Sequence, residues 1–283
     1  MMDFESQLIL IYCVCDDCAK THAYSDNSQC RMSTAEIMTV AIVGALFFYG
    51  NFRKTRLVLY RYFPQKILSE SRLNRRWHAI DKELWLIVLN LLAEINKQLQ
   101  IPTSYYAVDS FPFAACQRGR SYCCKLYKGK EFLGYCKSKK LHYYGLKVHL
   151  IVNEFGTICA FTLTPASESD IKALENWQIP LPEGSSLLGD KAYTFYELEN
   201  LLQEQEGITL LPLRKKNLKR QHDPLTKRMI KSTRKIVETA ISCVQGLFPK
   251  AIVARTSQGF ELKLLMFMLA KSCADYIAAV KLS

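Results

Sequence analysis

The sequence predicts an α/β protein: a mixed sheet flanked by helices, preceded by an all-helical N-terminal domain. Three observations predict it. Apolar residues recur with helical period through residues 1–100. After Ile101-Pro102-Thr103 the period falls to two. Two apolar, β-favouring runs then end in aspartate: Tyr105 to Asp109, and Ser186 to Asp190. A carboxylate closing such a run is either exposed at a strand end or held there for a purpose.

The chain has 283 residues, of which 49% are hydrophobic, enough for a sizeable core. Its net charge of +12 suits a polyanionic partner, nucleic acid before an acidic membrane surface. The opening carries no leader pattern, and the longest apolar run, Ile37 to Tyr49, falls short of the roughly 20 residues that span a bilayer. Eleven unevenly scattered cysteines do not resemble a secreted disulfide framework. The expectation is a cytoplasmic protein with reduced thiols and no membrane partner.

In the first hundred residues, Phe4 to Cys18 reads as a helix. Ser33-Thr34-Ala35-Glu36 is a capping box that starts a second, and Gly50-Asn51 ends it. Phe52 to Phe63 carries Arg53, Lys54, Arg56 and Arg61 up to the break at Pro64. Ser69 to His78 begins another basic helix, and Leu84 to Leu99 is strongly apolar-periodic. Short helices with arginine clusters are compatible with a helix-turn-helix DNA reader. A plain bundle with a solvated basic face is equally compatible.

Beyond the boundary, Tyr144, Leu146, Val148, Leu150 and Val152 share one strand face, and Asn153 to Gly156 is a turn into Thr157 to Thr164. Lys147 and His149 alternate with that face. Ser169 to Trp177 and Tyr193 to Gln205 are helical, with Asp170 near the start of the first. Ile208 to Leu213 is a further strand. Residues 214–235 hold ten Lys or Arg against one acid, Asp223. That excess suits phosphate neutralisation. The run passes into a helix from about Met229 to Phe248, and a last apolar helix, Phe260 to Val280, is expected on the core.

Asp109, Asp190 and, 48 residues further, Glu238 form a candidate carboxylate trio. Ionised carboxylates at one sheet edge repel, and a divalent cation removes the penalty. Oxygen ligands suit Mg²⁺ or Mn²⁺, and two such ions activate an attacking oxygen and stabilise a leaving one. The alternative is a pair of surface aspartates plus a helical Arg234–Glu238 pair.

These residues carry a resemblance. Ala107-Val108-Asp109-Ser110-Phe111-Pro112-Phe113, Cys116 with Arg118 and Arg120, and Gly134-Tyr135 with Ser138-Lys139-Lys140 come first. Tyr144-Gly145-Leu146-Lys147-Val148-His149-Leu150 and Leu188-Gly189-Asp190-Lys191-Ala192-Tyr193 follow. Pro212-Leu213-Arg214-Lys215-Lys216-Asn217 and Arg234-Lys235-Ile236-Val237-Glu238 complete the set. In this order they resemble DDE-type bacterial insertion-sequence transposases, closest to insertion-sequence family 982.

The resemblance implies an RNase H-like catalytic domain over residues 101–283 after a helical DNA-binding domain over residues 1–100. Asp109, Asp190 and Glu238 are then metal ligands for two Mg²⁺ ions. The implied reaction is cleavage at transposon terminal inverted repeats and transfer of the 3′-hydroxyl ends into target DNA. The implied partner is double-stranded DNA, held by a homodimer in the cytoplasm. Expected DNA contacts are Arg118, Arg120, Lys139, Lys140, Lys147, Arg214, Lys215, Lys216, Lys219, Arg220 and Arg234. Many relatives carry Tyr-x₂-Arg-x₃-Glu-x₆-Lys in the last catalytic helix; here Lys231 stands at the tyrosine position and Gln245 at the lysine position.

Other patterns are weaker. Cys15 and Cys18, with His22 and Cys30, have zinc-ligand types, but Cys13 to Cys18 sits in an apolar helical pattern. Cys116, Cys123, Cys124 and Cys136 fall in a basic segment interleaved with Tyr122, Tyr127, Tyr135, Tyr143 and Tyr144. This pattern suits either a nucleic-acid surface or tyrosines packed on a sheet. No G-x-S-x-G elbow or Walker loop is present.

Overall fold

A computed structural model describes residues 2–22, 24–99, 104–136 and 140–281. The chain forms two compact units: residues 1–101 with 243–283, and residues 102–242.

The first unit is helical. It contains α1 (Phe4–Thr21), α2 (Thr34–Phe48), α3 (Phe52–Leu59), α4 (Glu70–Ala79), α5 (Lys82–Gln98) and, from the far end of the chain, α9 (Ser257–Val280). The expected capping box is present: Glu36 N–H donates to Ser33 Oγ at 3.1 Å, and Ser33 N–H donates to Glu36 Oε2 at 2.7 Å. Helix α2 is buried on every side from Thr34 to Ala45, which explains its lack of an amphipathic stripe. It ends at Tyr49 in the left-handed region, and Asn51 caps α3 through Lys54 N–H. Helix α3 stops at Leu59, ahead of Pro64. No single described helix is long and apolar enough to cross a membrane.

Helix α9 packs against α2 and α5. Its buried run from Leu264 to Cys273 therefore completes the helical core, whereas the sequence placed it with residues 101–283. An apolar helix states that it must be covered, not by what.

The second unit is built on one six-stranded sheet. Its strands are β1 (Tyr105–Gln117), β2 (Leu133–Cys136), β3 (Leu141–Asn153), β4 (Ile158–Pro165), β5 (Ser186–Gly189) and β6 (Thr209–Pro212). Strand β3 lies antiparallel to β1 on one side; on its other side β2 pairs with its first residues and β4 with the remainder. Strands β5 and β6 extend the other edge of β1 in parallel. The Asn153–Gly156 turn closes with Gly156 N–H donating to Asn153 O at 3.0 Å and Gly156 at φ +79°. Helices α6 (Asp170–Glu175) and α7 (Tyr196–Gln205) bury Leu174, Leu198 and Leu202 against Tyr106, Val108, Ile151, Leu187 and Leu210.

Helix α8 (Pro224–Gly246) begins five residues earlier than the periodic pattern suggested. Asp223 caps it by accepting Leu225 N–H at 2.8 Å and Thr226 N–H at 3.0 Å. Pro224 fills the first helical position, where no amide donor is needed. Lys227 and Arg228 are therefore helical as well, beside the expected Lys231, Arg234 and Lys235.

Candidate active site

Asp109 is not at a strand end. Strand β1 continues eight residues past it to Gln117 because β3 supplies a partner as far as Tyr143. What ends is its other neighbour: β5 stops at Gly189, so the β5 side of β1 is open from Asp109 onward. The register pairs Ala107 with Leu188, and continuing it two residues places Asp109 of β1 beside Asp190, the residue that follows the end of β5. Side chains alternate along β1, which puts Asp109 on the face opposite Tyr106, Val108 and their cluster.

Helix α8 supplies the rest. Arg234 Nη1 lies 3.5 Å from Asp190 Oδ1, and Arg234 Nε lies 3.1 Å from Glu238 Oε1, one turn along the helix. Asp109 feels the same guanidinium. One cation thus brings Asp190 and Glu238 into one neighbourhood with Asp109. Among the described residues, no three His, Cys, Asp or Glu side chains are arranged to hold a metal ion.

Burial raises the Asp109 carboxyl to about 6. The Ser110 amide, which donates to Asp109 Oδ1 at 2.8 Å, and Arg234 pull it down, while Asp190 and Asp170 push it up. Asp190 Oδ1 accepts the Lys191 amide at 2.5 Å. Gly189 admits the neighbouring ring: a Cβ there would stand 2.9 Å from Tyr193 Cδ2. This close approach gives the Gly-Asp-x-x-Tyr spacing a packing reason.

A model of the transposase DDE domain matches residues 100–248, more than half of the chain. The chain belongs to the transposase DDE domain family. No curated protein and no solved structure matches it. The family makes the protein a DDE-type transposase, with DNA as its partner and divalent metal as its usual cofactor.

The DDE unit divides the expected DNA contacts into two kinds. Arg118, Arg120, Lys140, Lys215, Lys216 and Lys219 are exposed. Others are already engaged within the fold. Arg214 donates to both oxygens of Glu199, at 3.1 and 2.7 Å, with both side chains almost fully buried. Arg220 bonds Asn200 Oδ1 at 2.9 Å and lies over the Tyr196 ring at 4.8 Å. Lys147 donates to Glu168 O at 2.6 Å and lies 3.4 Å from Asp170 Oδ1. Lys139 falls outside the described residues.

Tyr127, Tyr143 and Tyr144 are buried, and Tyr144 Oη donates to Gly129 O at 3.0 Å; Tyr122 and Tyr135 are exposed. The interleaved tyrosines are thus mostly sheet packing. Two of the three α1 cysteines are structural too, while Cys13 is exposed. Cys15 and Cys18 are buried, burial pushes the Cys15 thiol up to about 12, and Cys30 accepts Arg76 Nη1 at 2.6 Å.

Sequence patterns missed the role of Asp170, noting only a helix start. It accepts Ser110 Oγ at 2.8 Å, beside Asp109, and lies 3.8 Å from His149 Nδ1. Burial drops His149 to about 4 against the pull of Asp170, so the imidazole is neutral and bonds Thr164 Oγ1 at 3.0 Å. No local spacing links Asp170 to Ser110, 60 residues away.

The raised Asp109 carboxyl has a sign that can be tested. Its folded pKa of about 6 exceeds the unfolded value near 3.8, so the folded state holds the extra proton between those pH values. Metal-free stability should fall as pH rises from about 4 to about 6. Asp109→Asn should remove that slope and stabilise the metal-free protein above pH 6 by about 2–3 kcal/mol. Urea denaturation across pH, in chelator, measures it; an unchanged slope in the variant counts against the assignment.

Proposed function

We propose that the protein cleaves DNA at transposon terminal inverted repeats and transfers the freed 3′-hydroxyl ends into target DNA, as in insertion-sequence family 982. The observation that carries this is the placement of Asp109 on β1 and Asp190 just past the end of the adjacent parallel β5, with Arg234 of α8 in contact with both Asp190 and Glu238. The antiparallel β1, β3 and β4 with parallel β5 and β6 support an RNase H-like catalytic core.

By donor type the set suits a hard cation, with Arg234 standing between Asp190 and Glu238 in the metal-free arrangement. It is all oxygen, from three carboxylates on separate elements, one of them already penalised by burial and by its neighbours. Asp109, Asp190 and Glu238 would hold two Mg²⁺ or Mn²⁺ ions. When bound, these lower the pKa of the attacking water or hydroxyl and stabilise the leaving oxygen. The attacking oxygen forms a new bond to phosphorus, the 3′-oxygen leaves and takes up a proton, and no covalent enzyme intermediate is required. Lys215, Lys216 and Lys219, with Arg118, Arg120, Lys139 and Lys140, would hold phosphates. Arg214, Arg220 and Lys147 would act by fixing the surrounding loops.

The helices of residues 1–100 would bind the DNA ends. Two copies would pair them in a synaptic homodimer, in the cytoplasm. The test is strand transfer from a pre-cut duplex with a free 3′-hydroxyl end into supercoiled plasmid with Mg²⁺. Covalently joined products are expected. Nicked plasmid without joined products would reduce the protein to a metal-dependent nuclease.

A further inference from the structure

Arg234 occupies the place where the carboxylates need a cation. Its contact with Glu238 follows from i,i+4 spacing on α8 and alone would be an ordinary helical pair. Its contact with Asp190 does not: that carboxylate lies 44 residues earlier, at the end of β5, and is reached by a different nitrogen of the same guanidinium. A guanidinium is always charged, and its rigid fork suits two carboxylates at once. The Arg234 side chain is 38% exposed, so it can swing to solvent without unpacking α8.

We propose that Arg234 is the built-in counter-cation of the carboxylate trio, holding Asp190 and Glu238 together in the metal-free protein and competing with the divalent ion for them. This rests on the assignment of the trio as metal ligands. Arg234 is then a positioning residue rather than one that touches the reacting atoms. Entry of metal displaces the guanidinium, and a phosphate of incoming DNA is its natural next partner. Metal loading is therefore held back until DNA offers the arginine another anion.

The test uses the full chain and Mn²⁺ as the probe, with free Mn²⁺ followed by electron paramagnetic resonance and folding checked by circular dichroism. Arg234→Gln should bind Mn²⁺ about tenfold more tightly than the wild type, because a like charge a few ångströms from the ion is removed. Arg234→Lys, which keeps the charge but not the fork, should fall between them. Without metal, Arg234→Gln should melt lower than the wild type and show the larger rise on adding Mn²⁺. Equal or weaker Mn²⁺ binding by Arg234→Gln, with Asp190→Asn still abolishing binding, would overturn the role of Arg234 and leave the carboxylate site standing. Mn²⁺ binding unaffected by Asp190→Asn in both the wild-type and Arg234→Gln backgrounds would overturn the carboxylate site itself, and this inference with it.

Discussion

Asp190→Asn is expected to abolish metal-dependent cleavage of a transposon-end duplex, by roughly a thousandfold or more, while leaving affinity for that duplex within about twofold. Loss of one ligand from a shared metal site removes several kcal/mol of transition-state stabilisation, and each 1.4 kcal/mol is tenfold in rate. Asparagine preserves the shape and still accepts the Lys191 amide that positions the Asp190 side chain. On the proposed reading DNA affinity would come from other residues, among them the exposed Lys215, Lys216 and Lys219. Gel-shift and cleavage assays on the same preparation separate the two quantities. Unchanged cleavage would remove Asp190 from the site; lost DNA binding with lost cleavage would point to misfolding instead.

Arg214→Ala should destabilise the protein by about 3–5 kcal/mol, because it strands a carboxylate that has no water to turn to. Glu199 is 7% exposed and accepts two bonds from Arg214, itself 4% exposed. Arg220 is 3.8 Å from the same carboxylate but half exposed, and it offers poor compensation. Arg214→Lys should recover only part of the loss, since one ammonium cannot make both parallel bonds. Replacing both partners, Arg214→Met with Glu199→Leu, should cost less than Arg214→Ala alone. The urea midpoint measures all three. An effect of Arg214→Ala below 1 kcal/mol would mean that the pair is solvated, and would restore Arg214 to the DNA-facing set.

Much of the fold is visible in local chemistry. The Ser33–Glu36 box and the Gly50-Asn51 stop depend on near neighbours in the chain, and both are in place; β3, by contrast, is covered on both faces from Tyr143 onward, so Lys147 and His149 do not mark a solvent face. What depends on distant chain was not legible. The length of β1 past Asp109 is set by β3, some 40 residues on, so the strand seemed to end at the carboxylate. The true start of α8 was signalled by Asp223-Pro224, but the basic composition around it obscured the cap. The same composition made Arg214 and Arg220 look like phosphate binders. Only the tertiary position of Glu199, Asn200 and Tyr196 shows Arg214 paired with a carboxylate and Arg220 held by an amide and a ring. The positions of the carboxylates came mostly from motif resemblance, since 26 acidic residues leave many to fall at strand ends by chance.

The return of α9 to the first unit makes residues 102–242 an insertion inside a helical domain, tethered at both ends. The helical domain is discontinuous in sequence, so its core cannot close until the ribosome has made the whole insert and the final helix. A chain cut after residue 242 would lack α9, which packs against α2 and α5 and buries Leu264, Phe267 and Met268. It would expose a large apolar face and invite aggregation. Independent expression of the sheet therefore needs a pair of cuts, one near residue 102 and one past the end of α8 at Gly246.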